Sequence, residues 1–159
     1  MNRANHNSGN KNEKRASHIS GTIVCATRGG EGSEPTIQGA IELAQERELR
    51  LTFLYIADLE FMKHTTMGRT GRAGEELRKM GEFIMLTLVE RAQQAGVEAD
   101  FAVRQGHFRE ELLGYLEETH PAVLVLGTPQ KDTGFFDQSR ISSLAQEIEE
   151  QTGVPVKLV

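Results

Sequence analysis

The chain has 159 residues, 38% hydrophobic and 26% charged, with a formal net charge of −5 and a single cysteine. That length makes one domain, able to bury about 70% of its unfolded surface without a disulfide or metal staple. One cysteine excludes an internal disulfide framework and an all-cysteine zinc cage, and an acidic chain with 6% aromatics and no tryptophan offers neither a basic face nor stacking platforms for nucleic acid.

Residues 1–18 carry Arg3, Lys11, Lys14 and Arg15 against Glu13, a balance of +3 that leaves −8 for residues 19–159. Five asparagines and almost no apolar side chains mark this stretch as a disordered polar tail, and it lacks the apolar core of a signal peptide. No purely apolar run in the chain exceeds five residues, against the roughly 20 of a membrane helix, so the reading is a cytoplasmic domain over 19–159.

Thr22–Ala26 is a short β-rich run that stops at a glycine cluster. Ser33-Glu34-Pro35 then reads as a helix start, with Ser33 as N-cap and Pro35 where no amide hydrogen is needed. Ile37, Ala40, Ile41 and Ala44 follow at helical spacing, and Leu51–Ile56 is the second strand, ending at Ala57-Asp58. Residues 59–73, with Lys63, Arg69 and Arg72 among glycines, predict a mobile basic loop. Leu77, Met80, Ile84, Leu88 and Ala92 give one apolar helix face that stops at Gly96. Ala99–Val103 is a third strand, Arg109–Glu118 a short helix and Ala122–Leu126 a central strand. Ile141, Leu144, Ala145 and Ile148 mark the last helix, and Pro155–Val159 the last strand.

Strands alternating with helices require crossover connections, which predict an α/β fold: an open, doubly wound five-stranded parallel sheet with helices on both faces. Ligands of such sheets sit at the carboxyl ends of the strands, where the strand order reverses. That places candidate positions in two loops. The first is Ala26, Thr27, Arg28, Gly29, Gly30 and Ser33, where a glycine turn before a helix can present amides to a phosphate and Arg28 adds a charged donor. The competing reading is a tight turn with positive φ at several glycines. The second is Gly127, Thr128 and Lys131 with Ser142 and Ser143, against a plain surface loop with capping serines. Asp58 and Gly106 end the second and third strands beside them. No His, Cys or carboxylate group has metal-ligand or triad spacing, and Cys25 lies inside an apolar strand as an inert thiol.

In the order and spacing of its motifs the sequence resembles the universal stress protein family over residues 20–159. The motifs are a strand running through a glycine turn into Ser33-Glu34-Pro35, LTFLYIAD at 51–58, the Val97–Gly106 segment, and Ala122–Thr128 with the terminal Gly153–Val159. The resemblance implies a Rossmann-like fold of adenine-nucleotide-binding type and a non-enzymatic, dimeric stress-response module. The family's ATP binders carry an aspartate after the first strand and a Gly-x-x-Gly, nine residues, Gly-Ser/Thr cradle. Here Arg28 stands near the aspartate position, Gly127 is kept, Gln130 replaces the second glycine, and Ser142-Ser143 replace the Gly-Ser pair. The expectation is therefore no family-style ATP binding and no obligatory cofactor. The alternative is an adenine-nucleotide pocket for ATP, AMP or cyclic AMP rebuilt around 27–33 and 127–143. A third reading takes RGGEGS at 28–33 as an echo of the ATP pyrophosphatase loop, and with it an ATP-cleaving enzyme. The strand at 155–159 is expected at a sheet edge, where a second copy could pair, and the loops could serve a protein partner.

Overall fold

The computed structural model describes residues 21–58, 72–129 and 138–159. The polar tail, most of the expected basic loop, Gln130 and Lys131 lie outside the described residues. Five strands, β1 (Thr22–Ala26), β2 (Arg50–Ala57), β3 (Ala99–Gln105), β4 (Val123–Leu126) and β5 (Val156–Leu158), form one parallel sheet in the order β3-β2-β1-β4-β5. Among the described residues four α-helices alternate with them: α1 (Glu34–Arg47), α2 (Arg72–Gln94), α3 (Phe108–Thr119) and α4 (Gln138–Thr152). The order reverses between β1 and β4, so the loops leaving these two strands diverge to opposite faces and open a crevice.

Side-chain alternation along each strand sorts the core into two layers. Ile23, Cys25, Phe53, Tyr55, Val123 and Val125 pack under α1 and α2. Val24, Ala26, Leu54, Ile56, Leu124 and Leu126 pack under α3 and α4. Because both faces are covered, β2 is buried without interruption from Leu51 to Ala57. The one polar member of that run, Thr52, is satisfied by donating its hydroxyl to Asp100 on β3 at 2.5 Å.

Three sequence expectations need correction. Ser33 precedes α1 but adopts helical backbone (φ −92°, ψ −7°) and makes no capping hydrogen bond. The chain enters α1 through a single 3₁₀ turn, Glu31–Ser33, which removes the extended backbone an N-cap uses. Met80 does not share the buried face of α2; it is 60% exposed and lies outward with Phe83 and Leu86. The buried stripe runs instead through Gly81, Met85, Leu88 and Ala92, because Gly81 lets the helix backbone rest on the ring of Tyr55. The last strand is three residues long rather than five. The carbonyl of Pro155 still accepts the amide of Leu124, and the amide of Val159 donates to Leu126, so pairing continues at both ends.

Candidate ligand cavity at the strand ends

Between the ends of β1 and β4 lies a cavity of about 290 Å³. Its walls come from the layer beneath α3 and α4: Ala26, Leu54, Ile56 and Leu126 from the sheet, Phe108 from α3 and Ile141 from α4. Thr27, Arg28 and Ser33 rim it from the first loop, Thr36 from α1, and Gly127, Thr128 and Pro129 from the second. The result is an apolar slot with a few polar groups at its mouth, the form expected of a small-molecule site.

Local hydrogen bonds fix the rim. The Thr27 amide donates to Leu54 and extends the β1–β2 ladder by one residue, while its hydroxyl accepts the Gly29 amide at 3.1 Å. Gly29 turns the chain with φ +64°, and its Cα rests on α2, where any side chain would overlap Ile84. Positive φ is thus confined to Gly29 in this turn; Gly30 is extended (φ 172°). On the other side Gly127 closes directly on α1, since a Cβ there would lie 2.6 Å from the Thr36 hydroxyl. Thr128 gives both its amide and its hydroxyl to the Val159 carbonyl, at 2.8 and 2.9 Å.

Of the positions singled out in the sequence, Ala26, Thr27, Arg28, Ser33, Gly127 and Thr128 line this one cavity. Gly30 sits in the first loop beside it, and a Cβ there would meet nothing within 4 Å. Asp58 and Ser143 line a neighbouring cavity of about 500 Å³, together with His107, Arg109, Arg140 and Glu147. The two cavities share Phe108 and Ile141. Asp58 accepts the amide of Phe108 at 3.2 Å, so it serves the first turn of α3, whose own N-cap residue, His107, makes no side-chain cap. Gly106 turns β3 toward α3, with its amide on the Ala57 carbonyl. Ser142 lines neither cavity. Both serines lie in the second turn of α4, where the Ser143 hydroxyl bonds the Ser139 carbonyl and backbone amides are used within the helix. Leu54, Ile56, Thr36, Phe108 and Ile141 escaped sequence reasoning as site residues, because each carries the same apolar or helical signal as the core.

Two electrostatic features frame the region. The Arg109 guanidinium, paired with Glu147, holds that carboxyl below its ordinary value. Burial raises the Tyr55 phenol, while the nearby charge of Arg28 pulls it the other way. Among the described residues no group of three or more His, Cys, Asp or Glu side chains is arranged to hold a metal.

Cys25 lies within the core layer under α1 and α2, fully buried, and burial pushes its thiol up to about 12. At pH 8 the native protein is expected to show no reaction with a disulfide reagent on the minute scale, and labelling should track global unfolding in urea. Prompt labelling without denaturant would contradict a sealed β1.

No curated protein sequence matches the chain. A model of the universal stress protein family matches residues 20–159. Among solved structures, a universal stress protein family member from Burkholderia pseudomallei superposes with a TM-score of 0.66 at 19% identity, covering 89% of this chain and 96% of its own. A universal stress protein in complex with cAMP gives 0.61 at 16% identity, covering 89% and 97%. One from Archaeoglobus fulgidus in complex with dAMP gives 0.60 at 17% identity, covering 88% and 98%. Among the described residues no helix is long and apolar enough to cross a membrane. The five-stranded α/β sheet and the match over residues 20–159 together place this chain in the universal stress protein family.

Proposed function

We propose that the protein is a non-enzymatic regulatory module that holds a purine nucleoside or its monophosphate in the cavity between β1 and β4, without the family-style grip on a triphosphate. The observation that carries this reading is the cavity itself, apolar in its depth and rimmed by Arg28 and hydroxyls at the switch point of the sheet. The cAMP and dAMP complexes of similar proteins support a purine mononucleotide as the ligand class. The position of α4 supports the weaker triphosphate grip. It begins at Gln138, so Ser142 and Ser143 sit inside the helix instead of offering free amides at its start. The absence of a metal-ligating cluster among the described residues gives no support to the ATP-cleaving alternative.

Titration calorimetry of AMP and GMP against ATP and GTP, with and without magnesium, tests the reading. A monophosphate should bind in the micromolar range, about 8 kcal/mol, and the triphosphates should gain no more than about threefold, or ~0.7 kcal/mol. A magnesium-dependent triphosphate preference of tenfold or more would restore the family-style cradle. Silence from all four ligands would remove the nucleotide and turn attention to protein partners.

The reading includes a homodimer through β5, which pairs with β4 on one side and forms one edge of the described sheet. Small-angle scattering at micromolar concentration should return twice the chain mass; a monomer would refute the pairing.

A further inference from the structure

We infer that Glu149 guards the outer edge of β5: its carboxylate holds an amide that a second copy of the chain must take over to pair along the whole strand. This rests on the β5 dimer proposed above and names the contact that regulates it. The bonds at the two ends of β5 fix which way its backbone points. The Pro155 carbonyl accepts from Leu124 and the Val159 amide donates to Leu126, so the odd-numbered residues turn their backbone groups toward β4. With a period of two, Val156 and Leu158 turn theirs to the outer side. The outward amide of Val156 donates to the Glu149 carboxylate, on α4, at 2.9 Å.

Other groups hold the turn from α4 into β5. The Gly153 amide donates to the Glu149 carbonyl at 3.0 Å, the Val154 amide to the Thr152 hydroxyl at 3.2 Å, and the Val154 side chain is buried. The exposed Glu149 side chain is thus an addition at the strand edge, and charged groups there are a common protection against pairing. In a two-fold antiparallel pair centred on Lys157, Val156 of one copy meets Leu158 of the other, and each such pair exchanges both of its N–H···O bonds. Half of these bonds need the Val156 amides that Glu149 holds. The same register sets the two Lys157 side chains opposite each other, a like-charge pair that also resists association.

Sedimentation equilibrium of the full chain and two variants tests the guard. Glu149→Ala should tighten the dimer on the order of tenfold, because each copy no longer gives up a charge-assisted bond for a neutral one. Glu149→Gln removes the same charge but keeps an acceptor, and should stay within about threefold of the unaltered chain. In the diluted Glu149→Ala monomer the Val156 amide should exchange with deuterium faster than in the unaltered monomer, and association should restore its protection. Urea midpoints measured on the diluted proteins would verify that both variants keep the fold. An unchanged dissociation constant in Glu149→Ala, or a dimer that leaves the Val156 amide unprotected, would overturn the inference while leaving the dimer in place. Equal tightening by the two variants would assign the effect to net charge and also overturn it. Monomers from all three chains at every concentration would bring down the dimer reading and the guard with it, a separate and recognisable result.

Discussion

Phe53→Ala is expected to lower stability by about 3–5 kcal/mol, a large share of the roughly 5–15 kcal/mol that holds a domain of this size together. Phe53 lies at the middle of β2, fully buried, paired with Cys25 on β1 and Phe101 on β3, in the layer beneath α1 and α2. Truncation leaves a cavity that the two neighbouring strands and two helices cannot close without breaking ladder hydrogen bonds. The urea midpoint should fall while the slope of the transition stays constant. Phe83→Ala supplies the comparison. The same residue type on α2 is 70% exposed, and its removal should change stability by no more than about 0.5 kcal/mol. A loss below about 1 kcal/mol at Phe53 would mean that the two-layer core is not closed around it.

Gly29→Val should cost about 2–4 kcal/mol, adding the strain of left-handed backbone in a β-branched residue to overlap with a packed helix. The φ of +64° excludes a branched side chain on local grounds, and the overlap is with the Ile84 side chain near its own backbone, not with the tip of a flexible chain. Relief requires the loop to lift off α2, which carries Arg28 away from the cavity. The variant is therefore expected to lose ligand affinity as well as stability. Gly30→Ala tests whether the position or the mere loss of glycine matters. Its extended backbone suits any residue and its Cβ would meet nothing within 4 Å, so thermal unfolding should be unchanged. Equal destabilisation by the two substitutions would contradict the packed Gly29 turn.

The alternation of strands and helices was legible because each element carries its own period, and the described strands and helices lie where their apolar residues recur. Helix ends were less legible. Glu48 and His120 end α1 and α3 in left-handed backbone (φ 53° and 45°), and neither residue signals that conformation as glycine does. The role of Asp58 depends on the parallel pairing of β2 with β3, which brings it to Phe108, 50 residues away. The candidate site was half legible. Loop positions such as Arg28, Gly127 and Thr128 stand out by composition, and strand-end logic brings them together. The walls did not stand out, because Leu54, Ile56 and Ile141 differ from core residues only in where the packing stops.

Thr128 and Val159 tie the cavity to the sheet edge. The amide and hydroxyl of Thr128 both donate to the Val159 carbonyl, and the Val159 amide returns to Leu126, so the rim of the cavity and the end of β5 form one hydrogen-bonded unit. A displacement of one is a displacement of the other. Under the ligand site and the β5 dimer proposed above, thermodynamic linkage would make occupancy and edge pairing reciprocal: whatever factor a ligand contributed to association at β5, association would return to the affinity for that ligand. Dilution would shift a binding curve, and saturation with ligand would shift a dissociation curve, by one and the same coupling free energy.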